Sequence, residues 1–267
     1  MPSLSSQARG AASRAADNSW LERLTRAGFL GYGVLHLLFA YVIVQIAVGA
    51  PAADGDQSGA MHKLAEKPFG TALIVVMVVG LVAMAIWQIL EIVTVRRNLE
   101  RLASAGRVAF YLYLSWNGVK VLQGKNKSSA DTQQNATEGL LGSSFGRFTV
   151  VLAGLVVAAI GVGLAYAGLT KRFERHLKVS QMTAATRRLI QRLGMAGYTA
   201  KGIAYGIAGV LFVVAAVQYD PDKARGLDAA LRALAEQSYG TWLLILAALG
   251  FAAYGLFAIA EARYRKV

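Results

Sequence analysis

Leu64-Ala65-Glu66-Lys67-Pro68-Phe69-Gly70 stands directly before a long apolar run, and Leu234-Ala235-Glu236-Gln237-Ser238-Tyr239-Gly240 stands before another near the opposite end of the chain. A weaker copy lies between them, with Leu140 in the place of Leu64 and Ser144-Phe145-Gly146 in that of Pro68-Phe69-Gly70. A block recurring upstream of an apolar run at three places is one unit used three times. Further upstream, Ala27-Gly28, Ala105-Gly106 and Ala196-Gly197 each open a preceding run. The distances from these glycines to Gly70, Gly146 and Gly240 are 42, 40 and 43 residues.

The runs cover residues 27–48, 71–95, 106–123, 148–169, 196–217 and 241–260. Most are about as long as the ~20-residue crossing of a bilayer, and the first exceeds the ~7–15 residue core of a signal peptide, so an uncleaved anchor is expected. The third run, with Asn117 and Lys120, is weak on hydropathy alone and rests on the repeat. The expected fold class is therefore all-α: a polytopic membrane protein of six transmembrane helices, arranged as three two-helix repeats at about 27–97, 105–172 and 196–263. Residues 1–26 form a polar N-terminal tail, and residues 27–267 a single membrane domain.

Composition agrees. Of 267 residues 55% are hydrophobic and only 16% charged, with mean hydropathy +0.44, whereas charged residues make up roughly a quarter of an ordinary soluble domain. The chain has no cysteine, which excludes disulfides, thiolate metal sites and cysteine nucleophiles. The net charge of +13 reads first as orientation. Loops on the side of both termini hold 17 Lys and Arg against 7 on the other side, which places both termini in the cytoplasm. That basic face suits anionic lipid headgroups. It gives no reason to invoke nucleic acid.

Two spans per unit is an even number, so successive units enter the membrane in the same direction and are related by an axis along its normal. A pseudo-threefold bundle follows. Leu227, Ala230, Leu231 and Leu234 have helical spacing and predict a short amphipathic helix lying on the outer leaflet, with Pro68 suited to the end of the corresponding helix in the first unit.

On Ala27-Gly28, Gly33 and Phe69-Gly70 in the first unit, and Ala196-Gly197, Gly202 and Tyr239-Gly240 in the third, residues 20–265 resemble the bacterial membrane family catalogued as domain of unknown function 1206. The second unit has Tyr111 instead of the inner glycine. The resemblance implies six helices in a plasma membrane and brings no activity and no catalytic residues.

Ionisable and polar groups inside spans are costly, at ~2.5–3.5 kcal/mol for a charge on insertion scales, and so are candidate positions. His36 lies nine residues past Ala27, about 14 Å into the bilayer. Its counterparts are Leu114 and Tyr205; a neutral His bonded to a neighbouring helix is favoured over a proton carrier. Glu91 and Glu261 are each 21 residues beyond the aromatic-linked glycine, which places them at the cytoplasmic interface. Pairing with Arg96, Arg97, Arg263 or Arg265 is favoured there over ion binding. Gln88, Asn117 and Lys120 complete the set. Gly28, Gly33, Gly202, Gly206 and Gly209 are read as helix-packing positions. Phe69, Gly70, Phe145, Gly146, Tyr239 and Gly240 define the repeat. There is no phosphate loop, zinc-protease motif or nucleophile elbow.

No catalytic residue, metal site or cofactor is expected. The leading expectation is a non-enzymatic structural or interaction module that packs with lipid or other membrane proteins. The alternative is a small-solute or ion channel or transporter with a pathway along the repeat axis.

Overall fold

The computed structural model describes residues 19–50, 54–94, 98–124 and 129–266. The described chain is helical apart from short connections and one isolated bridge between Leu177 and Arg265. Each unit is a long helix, a short helix and a long helix. The first unit holds α1 (Ser19–Ala47), α2 (Gln57–Ala65) and α3 (Gly70–Thr94). The second holds α4 (Asn98–Leu122), α5 (Ser129–Leu141) and α6 (Ser144–Leu169). The third holds α7 (Ala184–Gln218), α8 (Leu227–Ala235) and α9 (Gly240–Tyr264).

The blocks that reveal the repeat are the corners between short and returning helices. A Cβ on Gly70 would sit 1.8 Å from the Leu64 carbonyl oxygen, on Gly146 2.0 Å from that of Leu140, and on Gly240 2.1 Å from that of Ala235. Only glycine lets the returning helix start so close to the short one. The preceding aromatics Phe69, Phe145 and Tyr239 point outward, 85%, 80% and 75% exposed, at the helix ends where aromatic side chains anchor a membrane interface.

Five of the six long helices, α1, α3, α6, α7 and α9, are long and apolar enough to cross a membrane, as in a multi-pass membrane protein. Large apolar side chains line their outer faces, such as Leu73, Val76 and Val79 of α3 and Leu152, Leu155 and Val162 of α6. α4 is not among the five, yet it packs lengthwise along α3.

Hydropathy places helix starts too late. α1 begins at Ser19, so residues 19–26 of the expected tail are helical; residues 1–18 lie outside the described structure. α7 begins at Ala184, twelve residues before the expected span, with the Thr183 hydroxyl accepting the Thr186 N–H. A polar extension with a satisfied cap needs no lipid, and so leaves no hydropathy signal. The apolar face of α8 also differs from expectation: Leu227, Ala230 and Leu231 are buried in the bundle core rather than turned to a leaflet.

The long helices form an incomplete ring in the order α6–α7–α9–α1–α3–α4. Adjacent units meet at α3/α4, α6/α7 and α9/α1. Without an apolar driving force in lipid, such seams depend on close backbone approach. Gly154 and Gly161 of α6 face the backbone at Gly209, Gly202 and Gly206 of α7, with would-be Cβ contacts of 2.5–2.7 Å. Gly33 of α1 meets Gly255 of α9 in the same way.

Within units the three copies diverge. α1 packs on α3, and α7 on α9, but α4 and α6 are not packed against each other. The Ala-Gly glycines record this. A Cβ on Gly28 would lie 2.4 Å from the Gly80 carbonyl oxygen, and one on Gly197 would lie 2.6 Å from the Tyr254 Cα. One on Gly106 would meet nothing within 4 Å. The ring is open at α4/α6.

Candidate ligand site at the open seam

The short helices gather at one end of the bundle and are tied together by charge. Arg225 reaches all three units: Asp54 in the first at 3.1 Å, Asp131 and Gln134 in the second at 3.0 and 2.6 Å, and Asp228 in the third at 3.0 Å. Asp228 is fully buried and also accepts the Gly55 N–H at 2.8 Å and Arg232 Nε at 2.9 Å. Burial alone would raise its pKa. The bonds from Arg232, the Gly55 amide and Arg225 outweigh that and hold it below the usual carboxylate range.

Asp56, 2% exposed, caps two helices. Its Oδ1 accepts the Gly59 N–H of α2 at 2.8 Å, and its Oδ2 the Ala130 N–H of α5 at 3.0 Å. Burial pushes its pKa up to about 7, with the nearby Asp54 and Asp228 adding to the rise and the two amide bonds opposing it.

Below this cap the axis is filled. Tyr32, Phe110 and Lys201 are each the fifth residue after the alanine of their Ala-Gly pair, and the three meet. Lys201 Nζ lies 2.6 Å from the Tyr32 hydroxyl and 3.2 Å from His36 Nε2. It also lies 4.2, 5.0, 5.7 and 6.0 Å from the ring centres of Tyr254, Tyr32, Phe110 and Tyr205. Cation–π attraction from this aromatic cage offsets part of the cost of burying an amine. His36 Nδ1 is 2.9 Å from the Tyr32 carbonyl. A carbonyl can only accept, so Nδ1 carries the proton and Nε2 accepts from Lys201. Phe39 packs edge-on to Phe251 with centroids 4.7 Å apart, both fully buried.

A cleft of about 270 Å³ occupies the open seam beside this core. Phe110 and Tyr113 of α4, Val157 of α6, and Tyr205, Ala208 and Phe212 of α7 form its walls. Asp56, Gln57, Ser129 and Gln133 form its polar end under the cap, with Gly226 and Leu227 beside them. Gln57 is 9% exposed. Its side-chain amide is buried against the Tyr205 hydroxyl, toward which it donates.

The structure places the sequence candidates as follows. His36 lies in the core with Lys201. Gln88 and Glu91 are brought together at the α3/α4 seam: Arg107 donates to Gln88 Oε1 at 2.8 Å and lies 3.6 Å from Glu91, while Ser104 donates to Glu91 at 3.3 Å. Glu261 pairs with Arg265, whose guanidinium stacks over Phe29 and Trp87; of the arginines considered for these carboxylates, Arg96 and Arg97 lie outside the described residues. Asn117 is buried and bonds back to the Tyr113 carbonyl of its own helix at 2.9 Å. Lys120 is half-buried in the last turn of α4. Apart from Gln88 and Glu91, which share Arg107, these residues occupy separate places and build no common site. Among the described residues, no group of three or more His, Asp or Glu side chains could hold a metal ion.

Lys201, which joins His36 in the core, and Asp56, Gln57, Arg225 and Asp228 of the cap were not singled out by sequence. The repeat carried a signal for Lys201, which aligns with Tyr32 and Phe110. Asp56 and Gln57 lay in what reads as an ordinary polar loop.

No solved structure matches the chain. A protein of Bacillus subtilis (strain 168), "Uncharacterized protein YxxB", is 28% identical over 254 residues, covering 92% of both chains. A family profile matches three times, at residues 27–94, 102–171 and 196–265, in step with the three long–short–long units. The chain belongs to the family described as Domain of Unknown Function (DUF1206).

Proposed function

We propose that the protein is a non-catalytic, multi-pass module of a bacterial plasma membrane whose open α4/α6 seam engages lipid or a partner membrane protein. It crosses the membrane six times, with α4 as the sixth crossing. The short-helix cap faces outside, and both termini and the basic loops face the cytoplasm, where they attract anionic headgroups. The observation that carries the reading is a ring packed along its axis and open at one side. An axial solute path would have to pass the Arg225 clasp, the Tyr32–His36–Lys201 cluster and the Phe39–Phe251 contact. The seam opens sideways, toward acyl chains.

Two measurements test this. In vesicles containing the purified protein, permeability to potassium and to a small polar dye is expected to match that of protein-free vesicles. A spin label at Val157→Cys, the only thiol in the chain, is expected to collide with membrane-soluble oxygen far more than with a water-soluble nickel chelate. Solute flux that depends on the protein, or preferential access of the nickel chelate, would overturn the proposal.

A further inference from the structure

We infer that the outer face of α6 is a phospholipid-binding surface that holds one lipid in each leaflet, with the phosphates on Arg147 and Arg172. The face lies beside the seam but outside it, and holds its lipids whether or not the seam is filled.

Phe148, Leu152, Leu155, Ala159, Val162 and Tyr166 follow one another at intervals of three and four residues, which puts them on one stripe of the helix. All six are exposed, the large ones by half or more. An arginine stands on an aromatic ring at each end of the stripe. The Arg147 guanidinium lies 4.7 Å from the Tyr219 ring centre and donates to the Tyr219 hydroxyl, and to Ser144 Oγ at 3.2 Å. The Arg172 guanidinium lies 4.7 Å from the ring centre of Tyr166. Tyr219, at φ 56°, and Lys171, just before Arg172 at φ 54°, hold the left-handed backbone that non-glycine residues rarely adopt. Among the described residues neither arginine is paired with a carboxylate. A guanidinium stacked on a ring keeps N–H groups for a further acceptor, and its fork matches the oxygens of a phosphate. From Arg147 to Tyr166 the helix runs 19 residues, roughly 28 Å, against ~30 Å of hydrocarbon. Each guanidinium therefore stands at a boundary where lipid phosphates begin.

A second copy of this chain fits the face badly. Two copies meeting through α6 about an axis along the membrane normal would set the same patch against itself, with Arg147 near Arg147 and Arg172 near Arg172. Residues 144–173 include no Asp or Glu to separate them. A different membrane protein would need an acid at both boundaries. Phospholipid brings an anion to both. The faces of α3 and α9 serve as internal controls, since Arg147 aligns with Thr71 and Thr241, and Tyr166 with Leu90 and Ala260.

The test is photo-crosslinking of the full chain in maltoside micelles, which contain no phosphate, with a phosphatidylglycerol carrying a diazirine close to its glycerol. Adducts are expected at both ends of the stripe, on peptides bearing Phe148 and Leu152 and on peptides bearing Val162 and Tyr166. Unlabelled phosphatidylglycerol is expected to compete about fivefold better than diacylglycerol with the same chains, and inorganic phosphate not to compete. Arg147→Gln should abolish the preference at the Phe148 end and keep it at the Tyr166 end, and Arg172→Gln should do the reverse, so that each variant is the folding control for the other. Equal competition by diacylglycerol at both ends would overturn the phosphate contacts. Adducts as abundant on the outer face of α3 would overturn α6 as the site, and competition by inorganic phosphate would overturn lipid as its occupant. A disulfide-linked dimer of Val162→Cys in membranes would give the face to a second copy instead.

Discussion

The open seam makes a comparison among three aligned glycines that no closed bundle would reproduce. Gly28, Gly106 and Gly197 occupy the same place in their units, and each is replaced by alanine in turn. In the middle of a helix, glycine to alanine gains about 1 kcal/mol of backbone propensity, which is common to all three. The contact term differs. At Gly28 the new methyl would lie 2.4 Å from the Gly80 carbonyl oxygen, and at Gly197 2.6 Å from the Tyr254 Cα. Both are backbone atoms, so whole helices must part, and the penalty belongs at the top of the ~1–3 kcal/mol range for overpacking. Gly28→Ala and Gly197→Ala are thus destabilising by about 2 kcal/mol net. Gly106→Ala meets nothing within 4 Å and keeps the propensity gain of about 1 kcal/mol. The gap of about 3 kcal/mol corresponds to roughly 6–12 °C in unfolding midpoint for a chain of this size, read by thermal unfolding in one detergent at one protein concentration. A Gly106→Ala protein that unfolds alongside the Gly28→Ala protein would refute the open seam.

Three other outcomes follow from the cap and the helix directions. The folded-state pKa of Asp56, about 7, lies above its unfolded value of 3.8, so between those pH values the unfolded chain has already lost a proton that the folded chain keeps. Stability should therefore fall as pH rises from about 4 to 7, by up to about 4 kcal/mol, then level off; Asp56→Asn should flatten the profile measured by denaturation from pH 4 to 8, and an unchanged profile would refute the assignment. Arg225→Ala strips one partner from the buried Asp228 and unties three units; since Arg232 stays, the expected loss is about 2 kcal/mol, against under about 1 kcal/mol for the half-exposed Arg232→Ala, both read by chemical denaturation. If α4 crosses the membrane, Ala103→Cys and Gln123→Cys must react with an impermeant maleimide from opposite sides of intact and permeabilised cells; labelling of both from the same side would remove the sixth crossing.

Much of the architecture was legible because the repeat is written in backbone geometry. Gly70, Gly146 and Gly240 recur because one corner is built three times against a carbonyl oxygen, and a constraint of that kind is visible in sequence. The short helix of the third unit was legible from the spacing of Leu227, Ala230 and Leu231. Its orientation was not, because the same apolar stripe can serve a lipid surface or a protein core. Lys201 was legible as a member of a threefold set but not as a buried amine. A hydropathy boundary at Ala196 puts it a turn or so inside the span, whereas the helix runs from Ala184, and it is helix packing that brings Lys201 onto Tyr32 and His36. Asp56 and Gln57 gave no sign, since what sets them apart is burial beneath α5 and α8.

The open seam did leave a mark. Ten residues beyond the corner glycine, the first and third units carry Gly80 and Gly250, and the second carries Val156. Gly80 is where α1 lies closest to α3, its would-be Cβ 2.4 Å from the Gly28 Cα, and Gly250 is where α9 receives Ala200 of α7 at 2.2 Å. A β-branched residue at that crossing forbids the approach that small residues permit. Val156 instead turns outward, about half exposed, while Gly154, Gly161 and Gly168 of α6 are spent on α7. The middle unit keeps Gly106 but has no glycine at the second position. The single opening of the ring thus falls in the unit whose crossing position on α6 carries valine in place of glycine.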